Sequence, residues 1–121
     1  LDAGEGGAEN PVQAAQLFEA ACKAGSAPAC VGLGNLILAG RGRSKDTDRA
    51  IALYTRACNL EPAEGCYVLG LVYARGEEVP RDLARAKKLL QTACDAGHAE
   101  ACAELGSLLE ENQGGPTPQR T

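Results

Sequence analysis

Six cysteines, at positions 22, 30, 58, 66, 94 and 102, are the residues of this 121-residue chain with the most chemistry to offer. The members of each pair lie eight residues apart, and each pair follows the last by thirty-six. Metal ligation, redox exchange and structural crosslinking all use paired thiols. Zinc sites favour close C-x-x-C pairs, and a single histidine, His98, cannot complete a ligand set in three copies. A redox-active pair needs C-x-x-C or a neighbouring base, and neither is present. Pairing Cys22 with Cys30, Cys58 with Cys66 and Cys94 with Cys102 repeats with the period of the chain. Three structural disulfides are expected, and they imply an oxidising compartment. No metal and no cofactor is expected.

The remaining reactive side chains form no catalytic pattern. His98-Ala-Glu-Ala-Cys102 contains the H-x-E of zinc deaminases without the proline-flanked C-x-x-C, and His98 is expected to face solvent at the start of the last helix. Ser26, Ser44 and Ser107 have no lysine three residues on, so the S-x-x-K of penicillin-recognising enzymes is missing. Glu77 and Glu78 fall in a predicted turn, where solvation is the default. No catalytic residue is assigned, and an enzyme is not expected.

Composition narrows the partners. Twelve Lys and Arg against sixteen Asp and Glu give a net charge of -4, with the signs intermixed along the chain. That argues against a polyanion-binding face, and four aromatic residues (Phe18, Tyr54, Tyr67, Tyr73) cannot build a stacking platform for single-stranded nucleic acid. The longest uncharged stretch, 24–40, contains Pro28 and Asn35, and its apolar run of nine residues is too short to span a bilayer. The chain opens on Leu1 and has no methionine, so a signal peptide is expected to have been removed.

The elements that position the cysteines follow the same clock. Ala14, Leu17, Phe18, Ala21 and Cys22 recur as Ala50, Leu53, Tyr54, Ala57 and Cys58, and again as Ala86, Leu89, Leu90, Ala93 and Cys94. This i, i+3, i+4, i+7, i+8 spacing is one face of a helix. A second helix carries Cys30, Leu33, Gly34 and Ile37, repeated at Cys66, Leu69, Gly70 and Tyr73 and at Cys102, Leu105, Gly106 and Leu109. Gly25 and Gly97 suit the ends of first helices, and Gly40, Gly76 and Asn112 the ends of second helices. Glu61 and Pro62 predict a different turn in the middle copy. Glycines 34, 70 and 106 are expected to face Ala21, Ala57 and Ala93 and bring each pair of axes close. Such hairpins must stack to bury their apolar faces. The predicted fold is all-α, a right-handed α-solenoid of three disulfide-stapled helical hairpins. Its domain covers residues 12–113, in repeats 12–47, 48–83 and 84–113, between flexible tails 1–11 and 114–121.

Leu69, Gly70, Tyr73, Gly76, Val79, Asp82 and Ala86 read L-G-x-x-Y-x-x-G-x-x-V-x-x-D-x-x-x-A, which resembles the Sel-one-like repeat family, relatives of the tetratricopeptide repeats. Copy one keeps Leu33, Gly34, Gly40, Asp46 and Ala50, and copy three keeps Leu105 and Gly106. The cysteine pair in every copy is similar to the Helicobacter cysteine-rich branch. The resemblance implies a periplasmic or secreted, non-catalytic scaffold that binds a protein or extended peptide on its concave face. Two other implied functions remain open: binding or hydrolysis of β-lactams, and assembly of respiratory complexes in the mitochondrial intermembrane space. By analogy with tetratricopeptide repeats the first helices line the groove. Gln16, Glu19, Thr55, Arg56, Asn59, Lys88, Gln91 and Asp95 lie opposite the core stripe and are the candidate binding residues. Monomer and end-to-end dimer are both compatible with a last helix whose Leu108 or Leu109 lacks a following repeat.

Overall fold

The computed structural model describes residues 10–42 and 45–114, with side chains as far as residue 111. Residues 1–9, 43, 44 and 115–121, which include most of both expected tails and Ser44, lie outside the described residues. Six α-helices follow in order: α1 (Pro11–Lys23), α2 (Ala27–Ala39), α3 (Thr47–Leu60), α4 (Tyr67–Arg75), α5 (Leu83–Asp95) and α6 (Ala99–Gly114). A π-helical turn, Pro62–Cys66, leads into α4. Each helix packs on the next one, and the π-turn wedges between α3 and α5. The result is the expected all-α solenoid of three hairpins.

Capping residues set the helix starts with the period of the repeat. Asn10, Asp46 and Asp82 accept hydrogen bonds from the backbone N–H of Gln13, Arg49 and Arg85 at 3.0, 3.1 and 3.0 Å. Each satisfies an N–H that the helix itself leaves without a partner. With Asn10 as cap and Pro11 in the first turn, α1 begins one residue before the domain boundary expected at 12. At the other end α6 continues through Asn112 to Gly114, so Asn112 does not end it. Ser26 caps α2, accepting from Ala29 N–H at 3.2 Å, and His98 Nδ1 does the same for α6, accepting from Ala101 N–H at 3.1 Å. Pro62 holds the equivalent position in the middle repeat and offers no acceptor.

The middle turn differs for a backbone reason. Gly25 and Gly97 turn out of α1 and α5 at φ of 103° and 97°. The equivalent residue is Glu61, whose Cβ disfavours that region, and it adopts φ of -145° instead. The chain then enters the π-turn pressed against α3, so closely that a Cβ on Gly65 would collide with the Ala57 carbonyl and the Cys58 nitrogen.

All six cysteines form the expected pairs across the hairpin necks, with Cα separations of 4.7 Å for Cys22–Cys30, 4.3 Å for Cys58–Cys66 and 4.7 Å for Cys94–Cys102. The core runs between repeats as well as within them. Leu33 and Ile37 of α2 pack with Ala50 and Tyr54 of α3 and Leu69 of α4. Cys66 joins Ala86, Leu90 and Ala93 of α5 and Ala101 and Leu105 of α6.

Two expectations about this packing need correction. Gly34 and Gly70 do not face alanines of their own hairpins; a Cβ on Gly34 would lie 2.7 Å from the Tyr54 ring, and one on Gly70 3.0 Å from Leu90. Each glycine is a socket for a large side chain of the next repeat. Gly106 has nothing within 4 Å. Leu17, expected in the core stripe of α1, is 65% exposed, because its copies Leu53 and Leu89 pack beside a preceding hairpin that α1 lacks among the described residues. On α6, Leu108 is buried and Leu109 is 46% exposed.

These environments predict opposite outcomes for two glycine-to-alanine changes. Gly65→Ala forces the π-turn away from α3 and should cost about 1–3 kcal/mol or more. Gly106→Ala meets open space in a helix and should be neutral or stabilising by up to ~1 kcal/mol. Denaturant midpoints of the two variants check both.

Candidate functional site

Four charged residues of the first two first-helices, α1 and α3, meet at one place. Between α1 and α3 lies an open groove of about 340 Å³ lined by Glu19, Lys23, Arg49, Leu53 and Arg56, with Cys22 and Leu33 at its floor. Both arginines stand on α3 seven residues apart, two helical turns, so they share a face with Leu53 between them. Arg49 Nη2 lies 3.5 Å from Glu19 Oε2, and Lys23 Nζ 3.8 Å from the same oxygen. Arg56 reaches back to the end of the preceding repeat's helix. Its Nε and Nη2 donate to the Cys22 carbonyl at 3.3 and 3.2 Å, and Nη2 also contacts the Lys23 carbonyl at 3.4 Å. These carbonyls are among the last of α1; the Cys22 carbonyl also accepts from Gly25 N–H at 2.9 Å, and the guanidinium adds to this cap of α1 while lining the groove.

Of the candidate binding residues, Glu19 and Arg56 line this groove. Thr55 donates its hydroxyl to the Ile51 carbonyl at 2.8 Å within α3, and Gln91 Nε2 donates to Asp95 Oδ1 at 2.9 Å within α5. Gln16, Asn59 and Lys88 are exposed on α1, α3 and α5, outside the groove. Arg49 is a groove residue that helix phase alone does not single out. Its signal is present in the sequence, since it sits three residues after the capping Asp46 in the turn that starts α3, but only the fold brings it to Glu19.

On the second-helix side, a cleft of about 210 Å³ opens between α2 and α4, walled by Leu38, Val68, Leu71 and Val72. Tyr54 forms its floor with 1% exposure and donates its hydroxyl to Asn35 Oδ1 at 2.6 Å. Burial, followed by the nearby Glu78 carboxylate, pushes the Tyr54 phenol up to about 12. Glu78, expected to be merely solvated, pairs with Lys45 at 3.1 Å and ties the turn after α4 to the turn after α2.

His98 is not the solvent-facing residue expected. Its side chain is 15% exposed, stacks on Tyr67 with ring centroids 4.2 Å apart, and places Nε2 3.3 Å from Glu64 Oε1 of the π-turn. Because Nδ1 accepts from Ala101 N–H, the neutral ring carries its proton on Nε2 and donates it to Glu64. The histidine thus joins repeats two and three. Ser26 is likewise committed to its cap.

The sequence matches the Sel1 repeat family model three times, over residues 1–26, 27–62 and 63–98. The chain belongs to the Sel1 repeat family. Solved structures agree. A protective antigen present in uropathogenic Escherichia coli strains, which displays the SLR fold, is 31% identical with a TM-score of 0.74 over 81% of this chain and 21% of its own. A Sel1 repeat protein from Oxalobacter formigenes is 29% identical with a TM-score of 0.71 over 79% of this chain and 39% of its own. Cysteine-rich protein B of Helicobacter pylori is 32% identical with a TM-score of 0.67 over 75% of this chain and 68% of its own. No curated protein matches the sequence. The present Sel1 repeats thus span well under half the length of the first two relatives. Among the described residues no helix is long and apolar enough to cross a membrane.

The buried phenol makes stability pH-dependent in a defined window. Folding favours neutral Tyr54, so its contribution is full below the unfolded value near 10 and is lost as pH rises towards about 12. Tyr54→Phe should lose about 1 kcal/mol at neutral pH through the missing hydrogen bond, yet decline less steeply than the parent above pH ~10. Parallel urea melts across that range measure both slopes.

Proposed function

We propose that this chain is a non-catalytic protein-interaction module of the cell envelope or the secreted space, and that it holds an extended stretch of another protein along α1, α3 and α5. The observation that carries this reading is the groove between α1 and α3, an apolar recess bordered by the charged ends of Glu19, Lys23, Arg49 and Arg56, on helices whose opposite faces are committed to the core. Gln16, Asn59, Lys88, Gln91 and Asp95 extend a hydrogen-bonding strip along the same helices, suited to a peptide backbone that needs donors and acceptors rather than an apolar wall. Membership of the Sel1 repeat family supports a scaffold role. Three disulfides support an oxidising compartment, and periplasm or exterior is the proposed location.

The test is site-specific photocrosslinking in native cell-envelope and culture-supernatant fractions. A crosslinker at Gln16, Asn59 or Lys88 should capture a discrete protein, while one at Ala39 or Ser107, exposed on second helices, should not. Capture from Ala39 or Ser107 alone would move the interaction to the other side of the solenoid.

A further inference from the structure

The groove between α1 and α3 is locally positive, opposite in sign to the protein as a whole. It gathers Lys23, Arg49 and Arg56 around the single carboxylate of Glu19, in a protein whose net charge is -4. The stacked repeats supply an internal control for whether the fold requires this. One period on, Glu19, Lys23 and Arg56 are replaced by Thr55, Asn59 and Thr92, so the next pair of first helices stacks without that charge. Arg49 does recur, as Arg85, but Arg85 turns to the Tyr73 hydroxyl at 3.2 Å and lies over the Tyr73 ring, 5.0 Å from its centroid. Of these two joints, the first keeps two guanidinium groups and an ammonium around a recess.

Arg56 is also held in place before any ligand arrives. Its Nε and Nη2 are fixed on the carbonyls of Cys22 and Lys23, which leaves Nη1 as a donor without a partner among the described residues. A planar guanidinium anchored on one edge loses little further freedom when its other edge takes an anion. Leu53, half-buried, supplies an apolar surface beside it. We propose that this groove binds a carboxylate of a partner polypeptide, with Arg56 and Lys23 gripping the anion and a neighbouring apolar side chain lying over Leu53. The chemistry is shared by an acidic side chain and by the free C-terminus of a polypeptide. This inference rests on the reading of the first-helix face as the docking surface, and adds the chemistry of the occupant.

Titration of the oxidised, isotope-labelled protein with three short peptides decides it, followed by nuclear magnetic resonance of the arginine Nε–H and backbone signals. The probes are acetyl-Ala-Leu-Glu-Leu-Ala-amide, the same peptide with Gln for Glu, and the Gln peptide with a free C-terminal carboxylate. Saturable shifts at Arg56, Lys23 and Leu53 with the Glu peptide assign an acidic side chain; the same shifts with the free-carboxylate peptide assign a polypeptide terminus. Either should be weakened by added salt and absent for the neutral amide peptide. Arg56→Gln should weaken binding about tenfold or more. Arg56 also caps α1, so Lys23→Gln is measured beside it and should weaken binding several-fold, whereas Arg85→Gln should change nothing. Equal response to the neutral peptide, no response at the groove, or unchanged affinity in both Lys23→Gln and Arg56→Gln overturns the proposal. If crosslinks still map to α1, α3 and α5 in that case, this inference fails and the scaffold reading stands.

Discussion

Covalent closure of each hairpin neck sets the geometry on which the stacking of the repeats is built. A pair of helices nine to sixteen residues long, lined largely by alanine and glycine, buries little apolar area of its own. Alanine lets helix axes come close but contributes few methylenes to the core, and four aromatic residues in 121 cannot make up the difference. The disulfides act where the helices converge. Closing a loop this short removes roughly 2.5 kcal/mol of chain entropy from the unfolded state in the simplest model, and the effect is repeated in each hairpin. A domain of this size is commonly stable by about 5–15 kcal/mol in all, so three such closures are a large share of what holds it folded.

Once each hairpin is closed, it presents a fixed surface to the next. Gly34 receives Tyr54 and Gly70 receives Leu90, and these sockets only meet their side chains if the two helices of a hairpin are held at a set separation. Polar ties then cross the joints: Lys45 with Glu78, Arg81 with Glu111 at 3.5 Å, and His98 with Glu64. The exposed Lys45 and Arg81 pairs add little energy. Arg56 is different in kind, because it satisfies backbone carbonyls of the preceding repeat and shapes the groove with the same guanidinium. Structure and candidate function therefore share a residue at the joint between repeats one and two.

Much of the scaffold was legible in the sequence because it is periodic. The thirty-six-residue step fixed the number of hairpins, the cysteine pairs and the glycines that end α2 and α4, all of which are local to one unit. What was not legible lies between units. That Gly34 faces Tyr54 and not Ala21 depends on how neighbouring hairpins dock, and a one-dimensional pattern cannot say which side of a helix meets its own partner and which meets the next. Leu17 shared the pattern of Leu53 and Leu89 but not their neighbours, so an apolar position became an exposed one. His98 read as a surface residue because nothing in its local sequence reveals Glu64, thirty-four residues away. The groove was half legible for the same reason: Glu19 and Arg56 followed from helix phase, whereas the contact of Glu19 with Arg49 needed the stack.

If disulfide closure of the three necks carries the fold, reduction should remove it, and thermal melts before and after reduction measure that loss. The oxidised protein and a reduced, alkylated sample would be followed by far-ultraviolet circular dichroism under identical conditions. The account predicts a cooperative melt for the oxidised protein, and loss of most helical signal or of cooperative melting once the thiols are blocked. A reduced and alkylated sample that kept its helical signal and melted with the same midpoint would contradict it.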